Sequence, residues 1–364
     1  MVTIEAGPLT ELVRDTFAKA GCSAAEAERI GKYLVSANLT GHDSHGVARV
    51  PRYLSWKREG VVHADRKVKV VSETPVLAVV DGLHGFGQTV TPQAVTIGIE
   101  KCKAMGLSMV ALRNAGHIGR VGDWAEMAAA AGVVSVHFVN ASGSVLVAPF
   151  GGTERRLSTA PFCVGVPRPG EPPVVLDFAT SVVAEGKVMV ASQGGKKLPE
   201  DALISLDGKM SADPHVLYGD YTPTGLRTAG NGKGAIRAFG DHKGSGLALM
   251  CELLGGSLTG MKATGEGRGT FGGNGMLSFY VDPAAIDPEG LFPDDVSRYL
   301  AYYKSAKPIT PDGEVLTPGE PENRTRRQRL AEGIPLPDDT WAAIVAAARE
   351  VGVDERRIQS AGAR

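Results

Sequence analysis

The segment Gly41-His42-Asp43-Ser44-His45-Gly46 gathers two imidazoles, a carboxylate and a hydroxyl within six residues. Imidazole has the ordinary pKa nearest neutrality, so this density suits proton transfer. Other uses compete. The string is one residue longer than a GxSxG nucleophile elbow, and a helical pattern rather than a strand precedes it. His42 and His45 would make two metal ligands, but no further ligand is evident and HExxH is absent. A polar cap closing a helix is the plain structural alternative.

Three further segments carry groups that could meet a ligand. Asn114-Ala115-Gly116-His117-Ile118-Gly119-Arg120-Val121-Gly122 follows an apolar run at 107–112, where a strand hands over to a helix; such ends favour ligand groups and anions. Its alternative is a glycine turn with a solvated His117. Gly240-Asp241-His242-Lys243-Gly244-Ser245-Gly246 opens the most apolar helix of the chain, where Lys243 and free N–H groups suit a phosphate or carboxylate, or where the residues merely cap. Asp177 ends the run VVLDF and serves either as an acceptor or as a cap. The basic run at 324–329 reads as one solvated helix face. No GxGxxG lies between a strand and a helix, and there is no GxxxxGK[ST], so a dinucleotide bound here does not use the Rossmann turn.

Positioning these groups requires elements of both kinds. Helices are expected at 8–20, from Ser23 to about Gly41 with a Ser23/Glu26 capping box, and from Pro51 to Gly60. Short β-branched runs then mark strands at 68–71, 76–80, 107–112, 133–139, 174–178 and 276–281. Helices fall at 92–105, 120–131 and 245–258. The stretch 264–275 is a Gly-rich loop, and helices return at 293–304, 320–332 and 338–351, the last capped by Asp338 or Asp339. Helical ends thus bracket a mixed α/β middle: 1–70 as an N-terminal helical part, 71–285 as the mixed region, 286–364 as C-terminal helices.

Composition narrows the function classes. With 39 Lys+Arg against 40 Asp+Glu the formal net charge is −1, which argues against a nucleic-acid partner. Hydrophobic residues at 43% and charged residues at 22% are those of a globular chain. Neither a leader nor a membrane-spanning run is seen, and Cys22, Cys102, Cys163 and Cys251 read as unpaired thiols, so a cytoplasmic protein is expected. Glycine is in excess, at 47 residues.

Taken in order, GHDSHGVARVPRYL near 41, NAGHIGRVGDWAEMAAAAG near 114, APFGGTERRLSTAPF near 148, LDFATSVVAEGK near 176, GDHKGSGLALMCELLGGSLTG near 240 and TPGEPENRTR near 317 resemble the malate/L-lactate dehydrogenase family, also called the ureidoglycolate or sulfolactate dehydrogenase type. The likeness runs through essentially the whole chain and is strongest to the hydroxycarboxylate dehydrogenase branch. It implies an α/β (α+β mixed) fold with a non-Rossmann NAD(P)-binding domain, a mixed and largely antiparallel sheet, and a helical domain formed by both chain ends. It also implies a homodimer, with no metal, and reversible hydride transfer between NAD(H) or NADP(H) and C2 of a 2-oxo or 2-hydroxy acid.

Carried over residue by residue, the resemblance implies His45 as proton donor and His117 as a second acid/base group. Arg49 would clamp the substrate carboxylate, assisted by Ser44 and Tyr53. Cofactor contacts would fall on His45, on Gly119, Arg120 and Val121, on Val175, Leu176, Asp177, Phe178 and Ala179, on His242 and Lys243, on Asn274, and on Pro318, Gly319 and Glu320. Two positions depart from the family's pattern. Ser158-Thr159-Ala160-Pro161 stands where GTNP is usual, and Arg49 is present although the hydroxycarboxylate branch does not keep an arginine there. Cyclic-imine carboxylate (piperideine or pyrroline-2-carboxylate) reduction, ureidoglycolate oxidation and a non-catalytic ligand-binding role are the alternatives.

Overall fold

The computed structural model describes residues 1–362 apart from 193, 195–196, 222–227 and 266–272; Gly272 and most of the Gly-rich 264–275 segment lie outside the described residues. The chain begins with β1 (Val2–Ile4), α1 (Ala6–Lys19), α2 (Ala24–Leu39) and α3 (Val50–Arg58), then β2 (Lys69–Glu73), β3 (Leu77–Gly85), α4 (Gly87–Met105), β4 (Leu107–Ala115), α5 (Gly122–Ala130) and β5 (Val134–Ala141). It continues through β6 (Val147–Ala148), β7 (Pro161–Val166), β8 (Val174–Ala179), α6 (Glu185–Ser192), β9 (Leu203–Ile204), β10 (Met210–Ser211), α7 (His215–Tyr218), β11 (Ala235–Arg237) and α8 (His242–Met250). A π-helical stretch (Cys251–Leu258) leads to β12 (Asn274–Val281), α9 (Pro283–Ile286), α10 (Phe292–Lys304), α11 (Glu320–Glu332), β13 (Ile334–Leu336), α12 (Asp338–Glu350) and α13 (Glu355–Gly362).

The fold is mixed α/β. A seven-stranded sheet has the order β2-β3-β4-β12-β5-β7-β8, with β2 antiparallel and β4 parallel to β3. The chain divides into two compact units, one of Met1–Val136, Val164–Leu176 and Ser278–Arg364, the other of His137–Cys163 and Asp177–Leu277.

In the first unit the two chain ends share one apolar core: Leu9, Leu12, Phe17, Ile30, Leu34, Tyr53 and Phe86 cluster with Ile334, Ile344 and Ile358. β1 and β13 pair antiparallel, Val2 opposite Leu336, and join those ends. Neither strand is legible in the sequence, because three residues cannot display a period of two. Ser23 caps α2 by accepting from Glu26 N at 3.3 Å, but the reciprocal half of the box is replaced: Ser23 N donates to Asp65 and Glu26 accepts from Asp65 N. Helix α4 starts five residues before the expected Pro92, which sits inside it. Asp338 is the first residue of α12 rather than its cap, and it pairs with the Met1 amine.

The second unit holds a four-stranded sheet, β10-β9-β11-β6, over a core that includes Leu146, Val147, Leu203, Leu217 and Ile236. The apolar run 245–258 is not one α-helix: after Met250 it widens into π-helix. Gly255 allows this segment to lie directly on the neighbouring strand, since a Cβ there would come within 2.7 Å of Phe138 O.

Candidate active site

Two 3-10 turns, Asp43–His45 and Val47–Arg49, follow the end of α2 and lead into α3. This is no strand-to-helix elbow, and the segment is fastened from two helices. From α2, the buried Asn38 amide donates to Asp43 Oδ1 at 2.6 Å and accepts from Val47 N at 2.8 Å. A Cβ at Gly46 would lie 2.1 Å from Asn38 Oδ1, so only glycine lets the turn close on that amide. From α11, Arg329 grips Asp43 with both Nη atoms, at 2.6 and 3.1 Å, and Glu322 lies 3.4 Å from His42 Nε2. The 324–329 run is therefore not a merely solvated face: Arg324, Arg326 and Arg329 pair with Glu314, Glu126 and Asp43.

The loop after β4 brings His117 to the same place. Gly87 opens α4 with no room for a Cβ, which would stand 2.2 Å from His117 O. His117 Nε2 is 3.2 Å from His45 Nδ1, with the two rings parallel within 2°. Behind them the Tyr53 hydroxyl is 2.6 Å from His117 Nδ1, and Gln88 Nε2 donates to Tyr53 Oη at 3.0 Å and more weakly to His117 O at 3.4 Å. Tyr53 is 1% exposed, packed among Phe17, Trp56 and Phe86, and its hydroxyl is engaged with His117. His45 Nε2 has no protein partner among the described residues.

Burial, reinforced by the nearby Arg49 charge, pushes the His45 imidazole down to about 3 and His117 well below its ordinary range. Both rings are neutral at pH 7. Desolvation likewise raises the Tyr53 phenol to about 12. Arg49 Nε donates to Ser44 O at 2.6 Å, which turns the guanidinium while leaving its two Nη groups without protein partners among the described residues. Ser44 thus works through its carbonyl on Arg49.

Arg120 is buried, its Nη1 held by Asp123 at 3.0 Å and Glu126 at 2.7 Å. Burial outweighs the pull of Arg120 on Asp123 and lifts that carboxyl to about 6. The Arg120 guanidinium is spent on its neighbours, and what this stretch offers a ligand is backbone around Gly119 and Val121. Also in the first unit, Pro318 O accepts from Val175 N at 3.3 Å, next to the exposed Leu176. Gly319 (φ +92°) caps α11, and Glu320 takes Thr317 N at 2.7 Å and pairs with Lys304.

In the second unit Asp177, Phe178 and Ala179 end β8, with Phe178 edge-on to Phe162 and Phe239. The start of α8 does not present a row of free N–H groups: Lys243, Gly244 and Ser245 donate back to Gly240, Phe239 and Asp241. What is offered there is the exposed Lys243 ammonium, without a protein partner among the described residues, beside His242, whose ring meets Phe150. Asn274 is buried and donates to Asn140 O at 2.8 Å. The Ser158 hydroxyl donates at 2.6 Å to Glu252, a buried carboxylate that also accepts from Asn140 at 3.1 Å and Thr264 N at 2.8 Å. Serine at 158 thus satisfies a charge carried on the π-helix.

Comparison with known proteins shows the family of the chain. The malate/L-lactate dehydrogenase family pattern matches residues 4–345. Hydroxycarboxylate dehydrogenase B of Escherichia coli O157:H7 is 38% identical, the alignment covering 98% of this chain and 96% of that protein. A solved structure described as a putative malate/lactate dehydrogenase from E. coli superposes with a TM-score of 0.90 at 36% identity, covering 99% of this chain and 98% of the other. That of a delta1-piperideine-2-carboxylate reductase from Pseudomonas syringae pvar. tomato gives 0.77 at 26%, covering 97% and 100%. The class is that of oxidoreductases acting on the CH–OH group of hydroxy acids. This chain belongs to the malate/L-lactate dehydrogenase family.

Family membership implies a nicotinamide cofactor, and the residues present fit one. Lys243 offers an unspent cation for a phosphate, and at Gly319 a Cβ would crowd to 3.2 Å from Val175 N, so bare backbone is presented there. Asn38, Gln88 and Arg329 escape reading from sequence. Gln88 shows only as an amide within an otherwise uncharged stretch at 86–95, and the other two act on residues 5 and 286 positions away.

Proposed function

We propose that this protein catalyses reversible reduction of a small 2-oxo acid to the 2-hydroxy acid with NADH or NADPH. It would act as a cytoplasmic homodimer. The observation that carries the reading is the part-buried chain Tyr53–His117–His45, which ends on a His45 Nε2 without a protein partner among the described residues, in the field of an Arg49 fork whose two Nη groups likewise have none there. The bound nicotinamide supplies or accepts the hydride at the substrate's C2. Arg49 pairs with the substrate carboxylate and so fixes which atom faces His45. His45 Nε2 holds the proton at the substrate oxygen, where negative charge develops as the hydride arrives. A bound carboxylate also offsets the Arg49 charge that adds to desolvation in holding both imidazoles neutral, so the anionic substrate makes a proton on the pair easier to hold. Val175, Leu176, Asp177, Phe178, Ala179, His242, Lys243, Asn274, Pro318, Gly319 and Glu320, with backbone at Gly119, Arg120 and Val121, bind the dinucleotide in this reading. Exposed Leu249, Leu253 and Leu258 on the 242–258 helical segment support self-association.

The test is oxidation of NADH and of NADPH against a panel of 2-oxo acids and cyclic-imine carboxylates. Turnover of 2-oxo acids is expected, with His45→Ala slower by about two to four orders of magnitude and dinucleotide affinity kept. Turnover of the imines alone moves the function to imine reduction; no turnover together with no dinucleotide binding by fluorescence removes the enzyme reading.

A further inference from the structure

We infer that Gln88, acting through Tyr53, sets the tautomer of both active-site histidines, so that the pair presents an N–H and not a lone pair at His45 Nε2. The inference rests on the function proposed above only for what that N–H is used for.

The direction of the chain follows from which atoms can only donate or only accept. Gln88 Nε2 lies near His117 O, a carbonyl that can only accept, so the nitrogen and not the oxygen of the amide faces this side. The same nitrogen is 3.0 Å from Tyr53 Oη, so the phenol oxygen accepts from Gln88 and its own proton must go elsewhere. His117 Nδ1 at 2.6 Å is the near acceptor, against 3.3 Å for His117 O. A separation of 2.6 Å is also that of an O–H donor; N–H donors to oxygen cluster near 2.9–3.0 Å. With Nδ1 of His117 accepting, its neutral ring carries the proton on Nε2, which donates to His45 Nδ1 at 3.2 Å. His45 must then carry its own proton on Nε2, the nitrogen with no protein partner among the described residues.

Each link removes a choice from the next, and the first link is held at a cost. Gln88 is 1% exposed and its Oε1 has no hydrogen-bond partner among the described residues, an arrangement that stability alone disfavours. Gln88 and Tyr53 are therefore positioning residues, which reach the reacting atoms only through His117 and His45.

The experiment is nitrogen NMR of protein labelled with 15N in histidine, with the two rings assigned by single His→Gln variants. In the unliganded protein near pH 7 both rings are expected neutral with Nε2 protonated. In Tyr53→Phe, and independently in Gln88→Met, the His117 signal is expected to move toward a mixture of tautomers. In both variants kcat is expected to fall about three- to tenfold, the weight of one hydrogen bond, with KM and dinucleotide affinity within about twofold. Two variants at different links guard against one failing to fold, and the thermal transition of each reports that. A wild-type His117 protonated on Nδ1, or tautomers unchanged in both folded variants, overturns the inference. Failure of the proposed function would show instead as absent turnover with the tautomers as stated, because the NMR readout needs no substrate.

Discussion

Arg49 is the residue whose geometry makes the sharpest claim about the substrate. Its Nε is tied to Ser44 O, so the guanidinium plane is preset and the two Nη groups can meet a carboxylate as a fork. Lysine would keep the charge and lose the fork. Arg49→Lys is expected to raise KM for the 2-oxo acid about 10- to 100-fold, the weight of hydrogen bonds to a charged group. Its effect on kcat should be much smaller, because ground state and transition state share the carboxylate. Steady-state kinetics would decide it, and an unchanged KM would place the carboxylate elsewhere. His45 and His117 are legible in the sequence as candidate proton-transfer groups because imidazole is scarce, at 8 residues, and both stand in glycine-marked loops, whereas Arg49 is picked out only by the family resemblance. Tyr53 is visible as well, but its contact is not: an aromatic at a helical core spacing looks the same whether or not its hydroxyl ends on a buried imidazole. The pairing of Arg120 is equally hidden in the sequence, since its partners Asp123 and Glu126 lie on the following helix.

At the scale of elements, the segment carrying His45 is two turns of 3-10 helix, a form with strained hydrogen bonds that rarely persists without outside support. Asn38 on α2 and Arg329 on α11 supply that support. Arg329→Met is expected to leave the helical core intact, with a loss of at most about 1 kcal/mol since the Asp43 side is half exposed. Local opening of 42–49 should nonetheless become more frequent, because the segment then depends on Asn38 and the longer Glu322–His42 contact. Hydrogen exchange read by mass spectrometry should show faster exchange of peptides spanning 42–49 and little change in those from α1; uniform protection in both would show that Arg329 does not hold the turns. Sequence patterning locates most helices and strands to within a few residues, as at α12, where Ile344 and Ala348 repeat at helical spacing on the buried face. It fails where tertiary contact decides. Pro92 marks a start to the eye, yet α4 tolerates it internally and begins where Gly87 meets the His117 backbone. The run 245–258 reads as one helix because periodicity cannot show that Glu252 must reach Ser158, Asn140 and Thr264 from a π-turn.

Among the described residues, desolvation holds three imidazoles most strongly in the neutral state: the part-buried His45 and His117 in one unit and the buried His137 in the other, with His137 also pushed down to about 3. This sets how stability depends on pH. In the unfolded chain each of these histidines takes up a proton as pH falls below about 6.5, whereas the folded protein leaves His45 and His137 unprotonated down to about 3 and His117 unprotonated well below its ordinary range. The unfolded state therefore binds more protons throughout that window, and stability drops steadily as pH falls through it. Carboxyls held below their usual range by hydrogen bonds and neighbouring cations, such as Glu320 and Glu322, add to the loss only nearer pH 4 and below. Asp123 acts in the opposite sense, since its raised folded pKa of about 6 means that stability tied to it is lost as pH rises from about 3.8 to 6. Burial raises the Glu26 carboxyl in the same sense, but two such carboxyls do not balance three imidazoles. The transition temperature followed by calorimetry is expected to be level near pH 7–8 and to fall between pH 6.5 and 4. The fall should be shallower in His137→Gln, which removes one of the three titrating rings without touching the candidate active site. A transition temperature constant from pH 7 to pH 4 would mean that these rings are protonated in the folded protein.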